Sequence, residues 1–437
     1  MDTVPRVLRT CHAAESDRIH TPFAMQTVLP EALQLLLGPT VFRIRSADDL
    51  AHIDTLGSPP VFSLSPSREL GKQLMHKGYT HIRHFVAIPS RNMARWLLPI
   101  GSVTGTVAAA TQIYMPHKRT PQALKGVFLR IAKLGWTGWL QPRVLLASKG
   151  PLWIEDLVRA VTEEQKTIFA LSFGRQAAVR KLTVQVMRSS VSETIDGGMK
   201  RKTQEIIGYM KLPLTDMARK RVNHEAATLA QLWNFPALRR HIPRLLYSGY
   251  WNDTFVLFQS PLEGTLGPTR LNGLHTQFLQ ALWNVHRVEK PGKTLIHKVA
   301  KNWEKVSVML GAKWNGLARE VLVHATRTIG DKILPFGVMH GDFAPWNTRV
   351  SEKELLLFDW ESAEWEAPTT WDISHFEVQT ASSSLRIKGG HQTVEDPSGG
   401  AFFMLYLLNS VCQFIQEGND EAVRYREQLL TDQFHCN

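Results

Sequence analysis

The chain has 437 residues, of which 43% are hydrophobic and 21% charged. That gives room for two or three domains with cores of their own, and it excludes a single small module, a fibrous repeat and global disorder. Lys and Arg number 51 against 39 Asp and Glu, a net +12, but residues 359–437 hold 13 acids and 4 bases, so that stretch carries −9 and the remainder +21. The basic excess reflects either attraction to phosphates, nucleic acid or an anionic membrane surface, or a merely solvated basic face.

Cys11, Cys412 and Cys436 are few, odd in number and far apart, with no CxxC spacing, which supports neither a disulfide framework nor a zinc site and points to a reducing, cytoplasmic location. Met1 to Ala24 has scattered charges and no continuous apolar stretch, against a secretory signal. The two most apolar runs, Trp96–Tyr114 and Ala401–Ile415, are diluted or short and read as buried segments rather than membrane spans.

Residues 1–150 mix short apolar runs with Pro, Arg and small residues and contain no nameable chemistry. The runs His84–Pro89 and Arg95–Gly101 are either strands packed on a neighbouring sheet or part of an independent module. Helices are expected at Gln122–Leu134 and Trp153–Glu164. From there the pattern turns to strands at Thr167–Ser172, Lys181–Met187 and Thr203–Lys211, with a polar loop at Ser189–Lys202. A helix follows at Asp216–Leu232, where Met217, Val222, Ala226, Leu229 and Leu232 recur at helical spacing, and two strands at Arg244–Ser248 and Thr254–Gln259 complete a five-stranded lobe.

After the connector Ser260–Gly264 the texture is helical, over Thr269–Val288, Thr294–Leu310 and Trp314–Ile329. Within it, Phe336–His340 reads as a strand running into Gly341, and Asn347–Val350 with Leu355–Phe358 as a hairpin around Ser351–Lys353.

The polar chemistry gathers at these strand ends. His340-Gly341-Asp342-Phe343-Ala344-Pro345-Trp346-Asn347 sets a carboxylate and an amide five residues apart, and Asp359 closes the following hairpin 17 residues after Asp342. Transfer of a γ-phosphoryl group asks for a carboxylate that orients the incoming hydroxyl, which suits Asp342, and for hard oxygen ligands to Mg²⁺, which suits Asn347 and Asp359.

This motif, with Leu357-Phe358-Asp359-Trp360-Glu361 behind it, resembles the catalytic and metal-binding motifs of the aminoglycoside phosphotransferase and choline kinase family. The firm part of the likeness covers about 340–375, and the order of sheet then helices extends it loosely over 167–437. It implies an α+β, two-lobed protein-kinase-like fold: an antiparallel-sheet lobe over 160–264 and a helical lobe over 265–437, preceded by an additional region of unknown role over 1–150.

Carried over residue by residue, Asp342 matches the catalytic aspartate, Asn347 and Asp359 the metal ligands, and His340 shapes the loop. Lys211 and Glu225 have the order of the lysine and glutamate that pair in kinase-like folds, where the lysine contacts the α and β phosphates. Gly174, in the turn Ser172–Gln176, stands where a phosphate-covering loop belongs, although that turn has one glycine rather than several. Leu257 to Pro261, with Phe258 and Gln259, matches the hinge whose backbone meets adenine. Asp372 matches the aspartate that braces the catalytic loop, a helix N-cap being the other reading of it.

The implied cofactors are ATP, with GTP open, and Mg²⁺. Gly341 stands where protein kinases carry an arginine, and only 12 residues separate Asp359 from Asp372, which leaves little room for a peptide-docking segment. The expected reaction is therefore phosphate transfer to a hydroxyl of a sugar, amino sugar or amino alcohol. Its alternative is a catalytically inactive nucleotide-binding scaffold. Glu361, Glu364 and Glu366 either attract a cationic acceptor or form a solvated acidic surface, and Trp346, Trp360, Trp365 and Trp371 either stack on the acceptor or lie in the core. The basic clusters Lys200–Lys202, Arg219–Arg221 and Arg239–His241 are separated rather than continuous, so no nucleic-acid partner is expected.

Overall fold

The computed structural model describes residues 29, 31–38, 41–67, 69–90, 94–100, 102–113, 119–136, 143–174, 178–192, 201–381 and 397–435. Its spine is a ten-stranded sheet in the order β1-β2-β5-β3-β4-β6-β7-β8-β10-β9. The first five strands are β1 Phe42–Arg43, β2 Val61–Ser63, β3 His81–Ile88, β4 Trp96–Pro99 and β5 Arg143–Ser148, and the second five are β6 Thr167–Phe173, β7 Lys181–Ser192, β8 Arg201–Pro213, β9 Leu245–Trp251 and β10 Thr254–Gln259. Apart from the parallel pair β1–β2, neighbouring strands are antiparallel.

The expected five-stranded lobe is thus half of a larger sheet. Its join is β4 against β6, with Trp96 opposite Ser172 and Leu97 opposite Leu171. The two apolar runs of the N-terminal region are strands of this sheet. Alternation explains their continuous hydrophobicity. Phe85, Ala87 and Leu97 enter one core together with Leu33, Val144, Val184, Met210 and Val256, while Val86, Ile88, Trp96 and Leu98 enter a second core on the opposite face. A strand covered on both faces has no solvent side to carry polar residues.

Helices α1 Ala47–His52 and α2 Leu70–His76 lie near the first strands, α3 Val103–Gln112 and α4 Arg119–Lys133 follow β4, and α5 Trp153–Thr162 precedes β6. α5 buries Ile154, Leu157 and Val158 in the core shared by both halves of the sheet. α6 Asp216–Leu232 has the bounds expected from its periodicity, with Thr215 capping it by accepting from the Ala218 N–H. Val222 and Ala226 of α6 pack on Phe255 and Leu257 of β10, whereas Leu229 and Leu232 pack on Phe278, Phe343 and Trp360 of the second lobe. One helix therefore ties sheet to helices.

The second lobe consists of α7 Gly273–Trp283, α8 Gly292–Glu304, α9 Ala312–Ile329, α10 Trp371–Thr380, α11 Pro397–Gln416 and α12 Asp420–His435, together with short strands. β11 Thr265–Leu266 joins the hairpin β14 Thr348–Ser351 and β15 Glu354–Leu357, and β12 Val288–Pro291, β13 Ile333–Met339 and β16 Glu364–Pro368 form a second three-stranded sheet. The expected helix Thr269–Val288 is shorter than its apolar pattern, because Val288 opens β12 and pairs with Phe336 of β13. Sheet pairing overrides helical periodicity there. The expected loop at Ser189–Lys202 is also shorter: β7 runs on to Ser192 and β8 starts at Arg201, while 193–200 lie outside the described residues. No described helix is long and apolar enough to cross a membrane.

Candidate active site

Two cavities meet at the junction of the lobes, with Trp346 in the wall of both. The first, of about 260 Å³, is lined by Lys181, Lys211, Gln259, Asn347, Arg349 and Asp359 among others. The second, of about 310 Å³, has Asp342 and His375 in its wall together with polar residues of α11 and α12.

Lys211, near the end of β8 and only 5% exposed, reaches both oxygens of Glu225 at 2.6 Å and Asp359 Oδ1 at 2.6 Å. Glu225, in the middle of α6, is fully buried and also accepts the Trp360 N–H at 3.3 Å. Burial raises the Glu225 carboxyl above its ordinary range against the pull of Lys211; its two bonds to that ammonium keep it a carboxylate. Lys181, the first residue of β7, bonds Asp359 Oδ1 at 3.1 Å and also bonds Glu361. Burial opposes the Lys181 charge, but Asp359 and Glu361 hold its ammonium well above the usual lysine range. Burial likewise opposes the Asp359 charge, and the two lysines hold that carboxyl far below the usual carboxylate range.

Asp359 is a non-glycine residue at φ +73°, ψ +59°. That conformation costs on the order of 1 kcal/mol or more and is held here by the surrounding ion pairs. Both lysines bond Oδ1, so Oδ2 remains for another ligand. Asn347 donates its Nδ2–H to the Asp342 backbone oxygen at 2.9 Å and to Asp342 Oδ2 at 2.8 Å, which turns the amide oxygen away from Asp342. An ionised carboxylate oxygen and an amide oxygen on one cavity wall are a hard donor set of the kind Mg²⁺ takes, so the residues fit such an ion.

The Asp342 loop is held from below. Asp372, fully buried at the start of α10, accepts the N–H of His340 at 2.8 Å and of Gly341 at 3.0 Å. Burial pushes its carboxyl up to about 6 against those two bonds. His340 accepts the Asp342 N–H at Nδ1, 3.2 Å, and donates from Nε2 to the Phe358 oxygen, 3.1 Å, so it joins the two motif strands as a neutral ring. Burial pushes its pKa down to about 4. Gly341 sits at φ +81°, and a Cβ there would lie 2.2 Å from the Ser362 oxygen, which leaves no room for any other side chain before Asp342.

The structure thus gathers Lys211, Glu225, Asn347 and Asp359 at one cavity and brings Asp342, His340 and Asp372 into one hydrogen-bonded loop beside it. Gln259 reaches the first cavity with a buried Oε1 that has no partner among the described residues. Phe258 does not line that cavity: its ring is fully buried in the sheet core and its backbone is strand-paired to Met210 and Tyr247. Gly174 closes the β6–β7 hairpin by donating its N–H to the Lys181 oxygen at 3.1 Å, and 175–177 lie outside the described residues. Trp360 and Trp371 are buried, as their core reading has it.

Two site residues carry little signal in sequence. Lys181 is one strand-initial lysine among many until folding sets it on Asp359. His375 donates from Nε2 to Asp342 Oδ1 at 3.0 Å and accepts the Tyr406 hydroxyl at Nδ1, 3.0 Å, a chain assembled from three helical or loop segments. The fragment Trp371-Asp372-Ile373-Ser374-His375 could have flagged His375 only by its place one turn after the bracing aspartate.

No family model matches this chain, and no curated protein does. Among solved structures it is similar to the aminoglycoside phosphotransferase APH(4)-Ia at 12% identity and a TM-score of 0.43, over 64% of this chain and 97% of that one. It is also similar to choline kinase LicA from Streptococcus pneumoniae, at 13% and 0.43 over 65% of this chain and 98% of that one. A third likeness is to the GDP and kanamycin complex of APH(2")-IIia, at 12% and 0.39 over 57% and 95%. At that distance the likeness says nothing of substrate or residue roles.

Proposed function

We propose that the protein transfers the γ-phosphoryl group of Mg·ATP to a hydroxyl of a small molecule. The observation that carries this reading is the placement of Asp342 and Asp359 on adjoining cavities: one an ion-paired cluster around two lysines, the other a pocket with a carboxylate in its wall. Lys211, oriented by Glu225, and Lys181 meet the phosphates. Asn347 and Asp359 hold Mg²⁺, which when bound would neutralise charge on the phosphate oxygens. Asp342 Oδ1 or Oδ2 accepts a hydrogen bond from the acceptor hydroxyl and directs its lone pair at the γ-phosphorus, while His375 fixes the carboxylate from behind. Gln259, with its unpartnered oxygen, contacts the base. The acids Glu361, Glu364 and Glu366 are bonded to Lys181, Lys298 and Lys290, which leaves them little charge with which to recruit an amine.

Titration of ATP into the protein by calorimetry, with and without Mg²⁺, tests the reading. Wild type is expected to bind only with the metal, and Asp359→Ala not at all; metal-independent binding retained by Asp359→Ala would refute the assignment.

A further inference from the structure

The wall of the second cavity holds a buried guanidinium with free donors. Arg426 of α12 is 3% exposed, its plane lies over Phe414 at 4.5 Å, and it reaches the Tyr406 hydroxyl. Its Nε and Nη2 are buried and have no hydrogen-bond partner among the described residues. Those two N–H groups lie on one edge of the guanidinium plane and point in parallel, the fork that takes a carboxylate or phosphate by two bonds. Buried donors left unpaired are costly, so such a fork is met by water or by an anionic group that enters the cavity.

Among the described residues, the charges around it leave no protein candidate. Glu361 is bonded to Lys181 and lies 3.6 Å from Arg221, Glu417 is bonded to Arg221, and Glu364 to Lys298. Among the described residues of this cavity, the two charges without an opposite partner are then Asp342, whose side-chain contacts are Asn347 and His375, and Arg426. Between them run two ring groups in sequence, Tyr406 and His375. Asn409, Gln413 and Gln379 add neutral donors and acceptors to the wall.

We propose that Arg426 is an anion-binding subsite for the acceptor, so that the substrate carries an anionic oxygen group, carboxylate or phosphate, at the end opposite its reacting hydroxyl. The hydroxyl end rests on the phosphotransferase reading; the anion end rests on Arg426 alone.

The test is calorimetric binding, with ADP and Mg²⁺ present, of four probes that share a sugar frame: gluconate, glucose 6-phosphate, glucose and glucosamine. Gluconate or glucose 6-phosphate is expected to bind roughly ten- to a hundredfold more tightly than glucose, the range of a charge-assisted bond pair. Whichever of the two is tighter assigns carboxylate or phosphate. Arg426→Gln should abolish that preference and Arg426→Lys, which keeps the charge without the fork, should reduce it, with glucose unaffected. Equal affinity for glucose and both anions, glucosamine as the tightest probe, or an anion preference that survives Arg426→Gln overturns the proposal. Should both variants fail to fold, the wild-type ranking still decides. Because binding is read without turnover, anion binding through Arg426 in a chain that consumes no ATP would keep this subsite and sink the phosphotransfer reading. ATP consumption with glucose or glucosamine, indifferent to Arg426→Gln, would do the reverse.

Discussion

The two cavities handle charge in opposite ways. Around Asp359 both lysines are already answered within the chain: Lys211 by Glu225 and Asp359, and Lys181 by Asp359 and Glu361. Around Asp342 the carboxylate accepts from Asn347 and His375, with no lysine or arginine on it, and Arg426 of that cavity keeps open donors. A pre-paired cluster is rigid before any ligand arrives and presents its lysines at fixed positions, which suits an invariant phosphate chain. Unanswered charges instead wait for a partner, which suits selection among acceptors.

The sharpest way to break this contrast is Asp342→Ala. Nucleotide binding should be unchanged by calorimetry while turnover falls by about three or more orders of magnitude, the scale of losing a positioned base; full activity would remove Asp342 from the chemistry. Next comes Glu225→Gln, which takes one answer away from the fully paired cluster. Breaking a buried pair costs about 3 kcal/mol, and the loss should appear as a lower Tm together with weaker ATP binding. A Tm shift without any binding change would make Glu225 a structural residue alone.

His340 joins the Asp342 loop to the Phe358 strand end, and acid should disturb it. Its folded pKa of about 4 lies below the 6.5 of the unfolded chain, so the unfolded state binds more protons between those values. Stability is then complete above pH 6.5 and declines toward pH 4, by about 3 kcal/mol for this ring alone, with His275, also near 4, adding in the same sense. Asp372, raised to about 6, acts in the opposite sense over the same window, so the check is the difference in stability between pH 7 and pH 4.5 for wild type against His340→Gln by chemical denaturation; an unchanged difference would show that His340 is not buried as a neutral ring. The smallest effect is expected from His375→Gln. Turnover should drop about ten- to a hundredfold with KM for ATP unchanged, and the acid limb of the pH–rate profile should shift, which a purely structural role would not produce.

The parts legible in sequence are those that depend on neighbours along the chain. α6 starts and stops where its apolar spacing says, and Asp342, Asn347 and Asp359 sit in one loop and one hairpin, so their spacing already implies proximity. Lys181 and His375 are different. Each acts through a partner from a remote segment: Asp359 is 178 residues from Lys181, and Asp342 is 33 from His375. No local pattern encodes such meetings. The same holds for the N-terminal strands, whose apolar runs were visible but whose place in the sheet depends on β4 finding β6.

That junction governs how the chain can be handled as well as how it folds. β6 is an interior strand because β4 covers its outer edge, and the core beneath it draws Phe85, Leu97 and Val144 from the N-terminal region. A protein cut before Trp153 would present β6 with a bare row of N–H and C=O groups beside freshly exposed apolar surface, a template for pairing with further copies. β4 and the core residues beside it thus guard the edge of β6, and versions of this protein cut before Trp153 are expected to self-associate before any question of activity can be asked.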